Sequence, residues 1–158
     1  MIKFKFPKLN LKKENNFFKN EQYVFCGSYI LHEKLYRKIK AFKEVEYLKD
    51  GNYSFGIWNA NITFPNYKKL LEIGKLNNEY KISDTIYFDE KRKEHCLKLL
   101  SFEEGNKVTC NTLLVNFKFY EILKNVEKFI ESKKGILDLY INNEIVGIIA
   151  CMKKGRKQ

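Results

Sequence analysis

Hydrophobic positions alternate with lysine at Ile2, Phe4 and Phe6, a half-buried strand pattern that Pro7 limits. The polar residues to about Asn20 read as a connector, so residues 1–21 form an N-terminal strand and arm. QYVFCGSYI (22–30) is rich in aromatic and β-branched residues and predicts a strand. Leu31, Leu35, Ile39 and Phe42 then recur at spacings of four, four and three, the apolar stripe of a helix through 31–42. Arg37 and Lys40 lie opposite that stripe, with Lys34 and Lys43 at its flanks. EVEYL, a DGN turn, SFGIW and NANITF predict a short antiparallel meander.

The stretch 68–83 reads as a linker with a short helical turn, after which TIYF, EHCLKLLSF and KVTCNTLLVNF predict strands joined by DEKRK and EEGN. Asp89 could instead cap a helix, so residues 89–100 remain open between strand and helix. In 117–132, Phe119, Ile122, Leu123, Val126, Phe129 and Ile130 share one helical face, with Lys124 and Lys128 opposing it beside Glu121. After Gly135, ILDLYI, the turn residues Asn142 and Asn143, and EIVGIIACM predict a hairpin with a buried last strand. KKGRKQ is a basic tail.

These elements describe an α+β fold: antiparallel sheets with two amphipathic helices. The order strand, helix, meander occurs twice, in units of about 22–67 and 80–154, within a single domain 22–158. At 158 residues with 44% hydrophobic and 15% aromatic content, one chain of this size can bury a core without disulfides or metal.

Charge sharpens the picture. Thirty Lys and Arg against 19 Asp and Glu give a formal +11, a field that attracts DNA or other polyanions. A lysine-rich helix face is often only a solvated one, so charge alone does not select the partner. The longest apolar run, near Ile145 to Met152, is far short of the roughly 20 residues of a membrane span, and the N-terminus lacks a signal-peptide core. No membrane contact and a cytoplasmic location, in a bacterium or an infected host cell, are expected.

Candidate chemistry is sparse. Cys26, Cys96, Cys110 and Cys151 stand far apart without CxxC spacing, which argues against zinc-finger or thioredoxin-like sites. His32 and His95 are the only histidines. His95 adjoins Cys96, but neighbours on a strand face opposite ways; Cys110 could meet His95 across a hairpin, though nothing in the sequence selects that pair. No phosphate-loop, dinucleotide or nucleophile-elbow string occurs. The expectation is a noncatalytic protein with no cofactor and no metal site.

The duplicated strand–helix–meander order, the segment Phe64-Pro65-Asn66-Tyr67, the stretch LLVNFKFYEILKNV and the closing IIACMKK together resemble the DNA sliding clamp of bacteria and phages, the beta subunit of DNA polymerase III. The likeness covers about 22–67 and 107–154. It implies helices whose basic faces meet DNA, carried by Lys34, Arg37, Lys40 and Lys43 in the first unit and by Lys118, Lys124 and Lys128 in the second. Phosphate contact by lysine is sequence-independent, as sliding requires. A family ring contains six such domains, so ring closure here would call for association of the chain with itself. Where the family has Met-Pro-Met in its last strand, this chain has Ala150, Cys151 and Met152. The expected function is therefore clamp-like DNA binding, with itself or replication proteins as further partners. The alternative is a small phage-encoded inhibitor of a host protein or ribonucleoprotein defence complex.

Overall fold

The computed structural model describes residues 9, 17–20, 22–49, 51–52, 67–103 and 109–152. The expected strand at 2–6, the 53–64 part of the meander, residues 64–66 of the FPNY segment and the basic tail lie outside these residues. Ten strands are described: β1 (Phe18–Lys19), β2 (Tyr23–Cys26), β3 (Tyr29–His32), β4 (Gly51–Asn52), β5 (Asn78–Asp89), β6 (Glu94–Glu103), β7 (Thr109–Asn116), β8 (Lys128–Lys133), β9 (Ile136–Ile141) and β10 (Glu144–Ala150). They pair in the order β4-β1-β2-β3-β10-β9-β8-β5-β6-β7, and every pairing is antiparallel.

The sheet curls until it meets itself. Just past β10, Met152 bridges Leu114 of β7, its N–H donating to the Leu114 carbonyl at 2.9 Å. Directly opposed residues share a face, so the register sorts side chains into rungs. One inner rung runs Tyr80, Phe129, Leu139, Gly147, Leu31 and Val24. A second runs Asn78, Glu131, Leu137, Ile149, Tyr29 and Cys26. Gly147 sits where a Cβ would come within 2.7 Å of the Ile30 carbonyl oxygen, so only glycine lets β10 approach β3 this closely. An outer rung runs Ile130, Asp138, Ile148, Ile30 and Phe25, of which Ile148, Ile30 and Phe25 form a smaller apolar cluster with Leu70 and Leu71.

Several hairpins follow the expected turns. Asn142 and Asn143 take positive φ of 53° and 63°, the two-residue turn that matches strand twist. Gly135 turns β8 into β9 at φ 79°, where a side chain would be strained. Asp89 accepts from the N–H groups of Lys91 (3.0 Å) and Arg92 (3.2 Å), so it organises the β5–β6 turn rather than capping a helix. Residues 94–103 are strand, with Leu97 and Leu99 buried on the inner face. QYVFCGSYI is two strands instead of one, folded at Gly27-Ser28.

Both long helices shrink. Helix 31–42 becomes α1 (Glu33–Tyr36) and a 3₁₀ helix Lys40–Tyr47, separated at Ile39, whose backbone is extended at φ −108° and ψ 122°. EVEYL is thus helical rather than a strand. Ile39, Phe42 and Val45, all buried, recur every third residue, the 3₁₀ period. The short helical turn expected in the 68–83 linker is α2, Tyr67–Leu70, while the linker's end from Asn78 on belongs to β5. The helix expected at 117–132 is only a 3₁₀ turn Phe117–Phe119 and α3 (Tyr120–Leu123). There the Asn125 amide donates to the Glu121 carbonyl at 2.6 Å, while its own N–H bonds Ile122. Glu127 N–H then turns to the Tyr140 carbonyl, drawing the chain into β8. Phe119, Ile122, Leu123 and Phe129 are core, Val126 is half-buried against it, and Ile130, expected on the same helical face, turns to the outer side because strand alternation replaces the helical period in β8.

The topology has an internal correspondence. β3 enters α1 and pairs with β10, which pairs with β9; β7 enters α3 and pairs with β6, which pairs with β5. The hairpin that matches β9–β10 is therefore β5–β6, and each strand-to-helix passage lies beside the last strand of a hairpin.

Candidate nucleic-acid interface

The helical segments collect on the inner side of the sheet, where Leu35, Ile39, Phe42, Phe119, Ile122 and Leu123 join one core with Leu137 and Leu139. Tyr29 on β3 ties them together. Its ring meets Phe42 at 6.3 Å and Phe119 at 5.6 Å, both edge-on, so the 3₁₀ helix and the 117–123 segment are neighbours. Burying that apolar side leaves Arg37, Lys38, Lys40, Lys43 and Lys124 exposed. A continuous helix would place Lys38 on the apolar stripe; the break at Ile39 leaves it exposed instead.

The other basic candidates divide. Lys34 donates to Glu144 at 2.8 Å, and each holds the other charged: the amine is pushed up and the carboxylate pulled down by that hydrogen bond. Arg37 pairs with Glu33 at 3.4 Å, one helical turn back. Lys118, half-buried, lies 5.3 Å from the Phe119 ring centroid, and Lys124 lies 5.8 Å from that of Tyr120. Lys128 does not belong to this group. It opens β8 on the outer face, opposite Tyr140 and 5.3 Å from its ring centroid, because the helix that would have aligned it with Lys124 ends at Leu123.

Lys118 also lines a pocket of about 400 Å³ with Ser28, Arg92, Glu94, Asn116 and Met152. Asn116 caps the 3₁₀ turn by accepting from Lys118 N–H at 2.9 Å and donates to Glu94 at 3.1 Å. Arg92 comes from the β5–β6 turn, 3.7 Å from Asp89; no sequence spacing connects it to Lys118.

The thiol and imidazole candidates stay apart. His95 is exposed and packs edge-on to Phe88 at 4.9 Å, beside Phe117. Cys96 is buried on the opposite face, donates to the Met152 sulfur at 3.1 Å, and has its pKa raised by burial. Cys110 pairs across the sheet with Phe102, seven residues along β6 from His95, about 23 Å at strand spacing. His32 accepts from Lys34 N–H at 3.1 Å and caps α1. Among the described residues no group of three or more His, Cys, Asp or Glu could hold a metal, and no helix is long and apolar enough to cross a membrane. Comparison with protein-family models, curated proteins and solved structures finds no match to this chain.

Proposed function

We propose that the protein is a noncatalytic, clamp-like DNA-binding protein that meets the phosphate backbone through one basic helical layer. The carrying observation is Tyr29, which seats Phe42 and Phe119 side by side and so joins two separate lysine-bearing segments into one surface. Arg37, Lys38, Lys40, Lys43 and Lys124 are the exposed cations of these segments, and Lys118 is half-buried. A layer of lysines presents charge without base-reading geometry, which suits sequence-independent contact. The correspondence between β3-α1 with β10 and β7-α3 with β6 is in keeping with the duplicated plan of a clamp domain. The test is mass by light scattering with circular and linear duplex DNA. A closed oligomer retained on circles and lost from linear DNA is the expected result; a monomer without a DNA complex overturns it.

A second reading rests on the turn end of the β5–β6 hairpin, where Tyr87 and Phe88 are exposed by 48% and 42%. Exposed aromatics at a hairpin end favour a protein partner, as an inhibitor of a host complex would need.

A further inference from the structure

The register places Glu131 on the inner face, between Asn78 of β5 and Leu137 of β9. Its residue is only 7% exposed. One carboxylate oxygen accepts from the Tyr80 hydroxyl at 3.3 Å and the other from the Gly135 N–H at 2.9 Å. Both donors are neutral. Among the described residues no lysine or arginine forms an ion pair with it, in a chain carrying 30 of them. A buried acid without a cation is costly, and a cationic ligand would offset that cost.

A cavity of about 900 Å³ opens beside this acid, where the start of β5, the middle of β7, the β8–β9 turn and the residues after β10 converge. Leu76, Leu113 and Met152 give it an apolar wall, while Asn78, Asn111 and Thr112 supply neutral polar groups. Cys151 also lines it, and burial pushes its thiol pKa up to about 12, so the sulfur is an uncharged part of the lining. Lys134 stands exposed at the rim and disfavours a second positive charge on an occupant. The open end of a curled sheet is a common place for a small-molecule site.

We infer that this cavity binds a small organic monoamine, with its ammonium group on Glu131 and its apolar body along Leu76, Leu113 and Met152. The site is independent of the basic helical layer. Pentylammonium, 1-pentanol and pentanoate are the probes, titrated against the full chain and followed by NMR shifts at Tyr80, Leu113 and Met152. The expected result is saturable binding of pentylammonium, with 1-pentanol about tenfold weaker and pentanoate weaker still. Glu131→Gln, checked for folding by circular dichroism, should weaken the amine about tenfold. Leu76→Trp, at a half-exposed position of the mouth, should weaken all binding by filling the entrance. Equal affinity for amine and alcohol, no saturable amine binding, or full amine affinity in Glu131→Gln overturns the assignment. Should Glu131→Gln fail to fold, unchanged amine binding in Leu76→Trp overturns it instead.

Discussion

The ring of Tyr29 meets that of Phe119 edge-on, centroids 5.6 Å apart and planes at 83°, so that a strand residue from the first half of the chain fixes a helical segment from the second. Phe119 is 2% exposed, and replacing it with alanine removes this contact and leaves a cavity. Phe119→Ala should cost about 3–5 kcal/mol in urea unfolding. Where it remains folded, it should also weaken DNA binding, since Lys118 and Lys124 flank the lost anchor.

Gly74 lies against β8: a Cβ built there would come within 2.0 Å of the Ser132 carbonyl oxygen, which accepts from Leu76 N–H at 3.0 Å. The obstacle is backbone and cannot rotate away. Gly74→Ala should destabilise the fold by about 1–3 kcal/mol, measured by denaturant midpoint. It should also loosen the 67–76 segment, which Lys133 holds by donating to the Leu70 carbonyl at 3.2 Å.

His32 caps α1 through a ring nitrogen that must be unprotonated to accept from Lys34 N–H. Its pKa is lowered, chiefly by burial. A folded pKa below the unfolded one means that stability is present above about 6.5 and is lost as pH falls through that value towards the folded pKa. Thermal unfolding between pH 7.5 and 5 should show this loss, and His32→Asn, which can still cap, should flatten it.

Asp138 is fully buried on the outer rung, with one oxygen bound by the Ser132 hydroxyl and the other without a hydrogen-bond partner among the described residues. Burial raises its pKa, so the folded state holds its proton more tightly than the unfolded state does. Stability from this group is therefore greatest below about pH 3.9 and falls as pH rises through the folded value. Asp138→Asn keeps an acceptor for Ser132 and should remove that falling limb in denaturant titrations across pH 4 to 7.

Much of the core was legible in the sequence, because burial pattern survives an error in element type. Leu35, Ile39, Phe42, Phe119, Ile122, Leu123 and Phe129 are all buried, although the helices expected to carry them break at Ile39 and Asn125. The breaks depend on hydrogen bonds that periodicity does not contain, such as the Asn125 amide on Glu121 and Glu127 N–H on Tyr140. The final hairpin was readable because Asn142-Asn143 is a local turn signal. The junction of Leu114 with Met152 and the meeting of Tyr29 with Phe119 were not, since both join residues far apart in the chain. Lys128 illustrates the consequence for the site: once α3 ends, one residue of strand alternation decides its face.

The salt dependence of duplex DNA binding tests the basic layer most directly. Fluorescence anisotropy would compare the wild-type chain with Lys40→Gln/Lys43→Gln/Lys124→Gln and, as a control on the outer face, Lys128→Gln. The triple variant should bind more weakly and its log affinity against log salt should flatten by about two to three, one for each lost phosphate contact, while Lys128→Gln leaves the slope unchanged. An unaltered slope in the triple variant, or an equal change from Lys128→Gln, would contradict a DNA-binding surface built from the two helical segments.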